Sequence, residues 1–578
     1  MSSSSRKGAL IVALLIVFAA TISGIGVLLM TAAGGTTPTV PSNATLFLKM
    51  SAPFTEVQVL DPLFVTPPPT LRTTTNAIRQ AAKDSRIKTL VVMPRVEGAL
   101  WAQLQEVRNA LVEFKKSGKP LTAYLEYGGA QEYFVASAAD RIVMMPAGQL
   151  DLAGLASYEL FFRGAFDKMG VYPDMLHIGD YKSASNTFTE RGFTPAHREM
   201  ARSLNSDWYG QLVGAIAEGR KRSEAEVRTI INAGPFMAED AKRAGLVDEL
   251  AYEDALETTA PVQGTRKLQG ESYVRSIGSP FGTGQRIALL YAVGTITSGK
   301  SAYDAFGGSS LGSETFSDWV RKVRLDSSIR AIVVRIDSPG GSAIASDVMW
   351  HELMLARAVK PVIVSMGDVA ASGGYYIAVP AHVIVAEPGT LTGSIGVVIG
   401  KFVLEGALDK LGIATDAVSE GKLAEIYSPF KKFSPDERAR VEAQMRATYQ
   451  LFVSRVAEGR QQPAAKIDAV AQGRVWTGRQ AKDRGLVDEL GGLDTAIQIA
   501  KERARLDPAK EVELVVYPLK RSVFDLLEDP FGVKVSSRAS LEQLTGRRDA
   551  RALSSAVSLL QLYRRGEPLA VLPNIFWR

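Results

Sequence analysis

The chain carries a long-range copy of itself. "DSRIKTLVV", from Asp84, returns as "DSSIRAIVV" from Asp326, a displacement of 242 residues. "ADRIVMMP", ending at Pro146, returns as "AHVIVAEP", ending at Pro388, at the same displacement; the pairs Gly154/Gly396 and Gly179/Gly421 keep it. Further on, "AEGR" at Ala217 and Ala457, and "GLVDEL" from Gly245 and Gly485, stand 240 apart, so two residues drop out between. A period this long means tandem domains and not a solenoid of small units. The copies run over residues 44–280 and 285–517, followed by an unmatched tail, 518–578.

Inside each copy, short β-branched runs alternate with helical patterns. "AIVVRI" (331–336) and "PVIVSM" (361–366) predict buried parallel strands. Between them Ile344, Val348 and Leu355 recur at helical spacing, predicting a helix with one apolar face. Strand, turn, helix, strand is a βαβ unit, so each copy should be α/β with a largely parallel sheet.

Ahead of the copies lies an apolar run, Gly8 to Ala33, with no charge until Lys49. It is long enough to cross a bilayer, which needs about 20 apolar residues, and longer than the usual core of a secretory signal. The reading is a cytoplasmic start (1–7), a transmembrane anchor (8–33) and a linker (34–43). Arg6 and Lys7 before the span keep the first residues inside and send the body out. "TAAGG" leaves cleavage open as the alternative.

Composition removes several classes of chemistry. There is no cysteine, so disulfides, thiolate metal sites and a cysteine nucleophile are out. The four histidines, His177, His197, His351 and His382, form no metal-binding pattern. The net charge of +6 is spread thinly, with no basic block suited to nucleic acid. Neither a metal nor a cofactor is expected.

Two turns of the second copy carry chemistry. "IDSPGGSAIA" holds Gly340 and Gly341 at a helix start, where open backbone N–H groups suit a developing oxyanion. "GDVAASGGYYIAVPA" holds Ser372 and Gly373 in the next strand-to-helix turn. Taken alone, Ser372 reads better as a helix cap than as a nucleophile. Two such turns on adjacent strand ends point to acyl transfer. A serine nucleophile needs a base, and His382 and His351 read as structural. A lysine made neutral by burial is the alternative.

"SPGGS", "DVAASGGYYIA", "LTGSIGV" and, in the first copy, "GDYKSASNTF" resemble the signal peptide peptidase A family in its long, duplicated form. The resemblance implies tandem Clp protease/crotonase-like domains and a Ser/Lys serine peptidase. Carried over, Ser372 is the nucleophile and Lys182 the general base. Gly341 and Gly373 supply the oxyanion hole, and Ser394, otherwise a turn or capping serine, orients the lysine. It further implies signal-peptide remnants as substrates, a homotetramer, and a single-pass place in a bacterial inner membrane with the catalytic body on the periplasmic side.

The duplication bears on this independently. At the displacement of 242, Ser372 falls on Ala130, "SPGGS" falls near Gly98, and Lys182 falls on Ala424. Each copy lacks what the other keeps, so one live site is expected between the copies. Pairing backward from Pro195 and Pro435 would instead match Lys182 with Lys422, the alternative base. The rival functions are a crotonase-type acyl-CoA enzyme, which needs neither Ser372 nor Lys182, and an inactive tethered scaffold.

Overall fold

Two sheets with a single strand order express the duplication. In the first copy the order is 249–250, 141–144, 121–125, 87–95, 44–51, 266–269, all parallel. In the second the six matching strands run 489–490, 383–386, 362–371, 329–338, 285–293, 512–517, again parallel, and the same sheet adds 391–393 and an antiparallel 475–477. The computed structural model describes residues 38–51, 54–57, 70–258, 261–277, 283–304, 308–518, 568–572 and 576–577. The span Gly8–Ala33 lies outside them, and no helix among the described residues is long and apolar enough to cross a membrane.

The β-branched runs form the strands Ile329–Ser338 and Val362–Ala371, buried along nearly their whole length. Burial on both faces is what a parallel sheet covered by helices requires. Long helices follow in each copy, Pro195–Arg220 and Pro435–Arg460. Both start with proline in the first turn, behind a Thr194 or Ser434 cap whose oxygen accepts a backbone N–H.

The helix between the two strands, Ala343–Arg357, corrects the expected face. Ile344, Val348 and Leu355 are exposed, while Ala345, Met349, Trp350, Leu353 and Ala356 are buried. The buried residues have the same helical period, so spacing alone could not say which stripe meets the sheet.

A third sheet joins the copies. Tyr172–Ile178 of the first pairs antiparallel with Val397–Val403 of the second, Ile178 opposite Val397. Away from this seam, further contacts between the copies are polar and buried. Arg335 is wholly buried; it donates from Nε to Glu56 (3.1 Å) and from Nη2 to Glu56 (2.7 Å), and pairs with Glu106 (2.5 Å). Asn109 donates to Glu387, the Gln103 N–H to Asp368, and Trp208 Nε1 to the Gly389 carbonyl. Burial pushes the Glu387 carboxyl up to about 8 and Asp337 up to about 6.

Candidate active site

The seam strands end in opposite directions, and that places two loops side by side. Past Ile178 the first copy runs through Gly179 and Tyr181 to Lys182; before Val397 the second runs back to Ser394. Lys182 is fully buried. Its Nζ lies 2.7 Å from Ser372 Oγ and donates to the Ser394 carbonyl (2.9 Å) and to Ser394 Oγ (3.0 Å). Burial alone drives the Lys182 amine well below the ordinary lysine range.

Ser372 stands at the head of the helix Gly373–Ala378, but its hydroxyl caps nothing there; it faces Lys182. Its backbone has a positive φ of 56°, uncommon for a residue with a side chain, and Ser394 has 53°. Each is pinned by a backbone bond: the Ser372 N–H donates to the Gly393 carbonyl (2.8 Å) and the Ser394 N–H to the Arg474 carbonyl (2.7 Å). Conformations of this kind persist where the surroundings over-determine them.

The two glycine turns touch. A Cβ on Gly373 would come within 3.2 Å of the Gly341 nitrogen and 2.7 Å of Ser346 Oγ. Only glycines let these backbones approach so closely.

Lys422 does not take part. It is exposed and paired with Asp436 at 2.7 Å. Ala424, at the displacement of 242, is exposed as well. The histidines are engaged elsewhere: His382 Nδ1 accepts the Val362 N–H (3.1 Å), His177 Nδ1 lies 3.1 Å from the Gly179 carbonyl, and His197 pairs with Glu159 (2.9 Å). His351 is exposed. Tyr375 and Tyr376 are buried, their hydroxyls donating to the Leu486 carbonyl and to Asp347. Among the described residues no group of three or more His, Asp or Glu is arranged to hold a metal ion.

One contributor was not legible beforehand. The loop Gln472–Gly473 of the second copy closes on the lysine loop: the Tyr181 N–H donates to the Gln472 carbonyl (2.9 Å). A Cβ on Gly473 would sit 2.5 Å from the Lys182 nitrogen. Its "AQGR" setting is that of any turn.

Peptidase family S49 matches residues 113–264 and 355–507, one block in each copy. The chain is 35% identical over 503 residues to "Serine protease SPPA, chloroplastic" of Arabidopsis thaliana, covering 84% of this chain and 74% of that protein. It is 37% identical over 474 residues to "Protease 4" of Salmonella typhi, covering 78% and 75%. It is 32% identical over 451 residues to "Protease 4" of Haemophilus influenzae, covering 74% and 72%. With two matching blocks and relatives aligned across both copies, the chain belongs to peptidase family S49.

Proposed function

We propose that this chain is a membrane-anchored serine endopeptidase working by a Ser372/Lys182 dyad. The observation that carries the reading is a fully buried amine 2.7 Å from a buried serine hydroxyl, with burial as the influence on its proton affinity. A neutral amine has two N–H groups and one lone pair. Both N–H groups are taken by Ser394, through its carbonyl and its hydroxyl. The lone pair is left for the Ser372 hydroxyl, which donates to it.

Ser372 Oγ then attacks the peptide carbonyl while Lys182 takes its proton, and Lys182 returns that proton to the leaving amine. The Gly341 and Gly373 N–H groups hold the oxyanion. Ser394 is a positioning residue. The acyl-CoA and scaffold readings fall away with membership of a peptidase family.

Signal-peptide remnants as substrates, the Gly8–Ala33 anchor and a body on the exported side belong to the same proposal. They rest on the apolar run, the preceding Arg6 and Lys7, and the family resemblance. A fluorophosphonate probe on the purified protein tests the dyad. The adduct should map to Ser372, vanish in Ser372→Ala and be strongly slowed in Lys182→Ala. Labelling that persists in Ser372→Ala would overturn the assignment.

A further inference from the structure

The six strands of the first copy run parallel, so all of them start at one edge of the sheet. The helices Leu71–Lys83, Trp101–Lys115 and Ala238–Arg243 end there, leading into the strands that start at 87, 121 and 249. The helix Pro195–Arg220 ends there too, tied by Arg220 Nε donating to the Gly245 carbonyl (3.0 Å). Helix ends and strand starts far apart in sequence thus share one surface.

That surface carries positive charge without matching acid. The carboxylates beside the strand starts are already paired: Asp84 with Arg86 (2.8 Å), Asp140 with Lys115 (2.9 Å), Asp248 with Arg220 (2.6 Å), and Glu249 with Arg141. Lys83, Lys88, Lys116, Lys221, Lys242 and Arg266 are exposed, and among the described residues none has a carboxylate within ion-pair distance. Lys88 reaches only the Ser85 carbonyl (2.8 Å).

A lysine at a helix end also offsets the helix dipole, and the second copy shows how far that goes. It has the same helices, yet Lys83 is matched by Leu325 and Lys221 by Gln461, while Lys482, the match of Lys242, is paired with Glu489 (2.9 Å). Equal dipoles with fewer free cations leave the excess in the first copy to another cause.

The first copy is the one that the chain enters from the apolar run. Val40 packs against its core, and Asn43 Nδ2 donates to the Gly264 carbonyl (3.0 Å), so the entering chain is fixed at the strand-start edge. Seven residues lead from Ala33 to Val40, a reach of about 25 Å at most. With Gly8–Ala33 in a bilayer, this edge has to stay near the headgroups.

We infer that the strand-start edge of the first copy docks on an anionic lipid surface, with its six free cations toward the headgroups. The inference rests on the anchor of the proposed function. Each cation held near an anionic bilayer favours contact about fivefold, and the contributions multiply. Docking fixes the tilt of the body, which a tether alone leaves free.

The test places the full chain in nanodiscs of phosphatidylcholine, with or without phosphatidylglycerol, and follows acetylation of single lysines by mass spectrometry. With phosphatidylglycerol, Lys83, Lys116 and Lys221 should react slower by about fivefold or more. Lys49, exposed toward the other end of the first strand, should keep its rate. Salt near 1 M, where screening leaves a range of about 3 Å, should restore the rates. In a combined Lys83→Gln, Lys116→Gln, Lys221→Gln variant the slowing at Lys88 should shrink, with hydrolysis of a soluble peptide unchanged. Equal rates in both kinds of disc would overturn the inference, leave the anchor standing and give the face to a soluble acidic partner. A chain that does not enter the discs at all would overturn the anchor and the inference with it.

Discussion

Ile178 and Val397, one from each copy, stand opposite each other where two antiparallel strands meet. From that pair the chain runs four residues forward to Lys182 and three residues back to Ser394, so the loops beyond must converge. The Lys182–Ser372 contact, between residues 190 apart in sequence, is a consequence of this pairing. One folded chain holds both members.

The dyad assignment predicts graded losses. Ser372→Ala should lower kcat/KM by about 10⁴-fold or more, since residues acting as a unit fail together. Ser394→Ala removes one of two acceptors for the lysine and leaves the carbonyl, so about a tenfold loss is expected, one hydrogen bond of roughly 1.4 kcal/mol. Lys422→Ala should stay within about twofold, as an exposed pair usually does. Steady-state kinetics on one fluorogenic peptide checks all three.

Burial of Lys182 sets the pH dependence. Only the neutral amine accepts a proton, so kcat/KM should rise with pH through the depressed pKa and level off well before the ordinary lysine value of 10.5. Lys182→Arg should be inactive at every pH because arginine keeps its proton. For stability, the folded chain binds fewer protons than the unfolded one between the depressed pKa and 10.5, so stability rises with pH across that window. Lys182→Met should therefore be more stable than the parent at neutral pH, with the gain shrinking toward pH 10.5. Urea denaturation at several pH values measures it.

Arg335 ties the copies together from inside. Arg335→Ala leaves Glu56 and Glu106 buried without their cation, a loss of about 3–5 kcal/mol. Because both glutamates belong to the first copy, activity should fall along with stability. Thermal unfolding and peptide hydrolysis of the same preparation would show the coupling.

A site housed in one chain cannot be repaired by a neighbour. Co-expressing Ser372→Ala with Lys182→Ala should return no activity. Sites shared between chains would be whole in about a quarter of cases for random equal mixing, so recovery near that fraction would contradict the single-chain site.

The duplication also leaves an unmatched surface. Residues 414–420 are the counterpart of the seam strand 172–178, but they form no strand, and Val418 is fully exposed. The first copy uses this segment to dock on the second, so the second copy should use it to dock on a neighbouring chain, head to tail. Val418→Lys should shift the particle to lower mass in light scattering while leaving each Lys182–Ser372 pair intact.

The sequence by itself determined the duplication, the α/β class and the complementary losses, because strand hydrophobicity and turn glycines are local properties that survive copying. It also singled out Ser372, Lys182 and Ser394, through motifs that sit in short loops. It favoured Lys182 over Lys422 on the Gly179/Gly421 match, yet a two-residue gap makes both alignments legal. Only the fold separates them, burying one amine and ion-pairing the other in solvent. Nor could spacing say which stripe of the helix Ala343–Arg357 faces inward, since two stripes share one period. The Gly473 closure on Lys182 and the pairing of the tail strand Leu569–Val571 with Gly341 were equally hidden. Both are contacts between segments hundreds of residues apart, fixed by backbone register and close approach, which leave almost no mark on residue type.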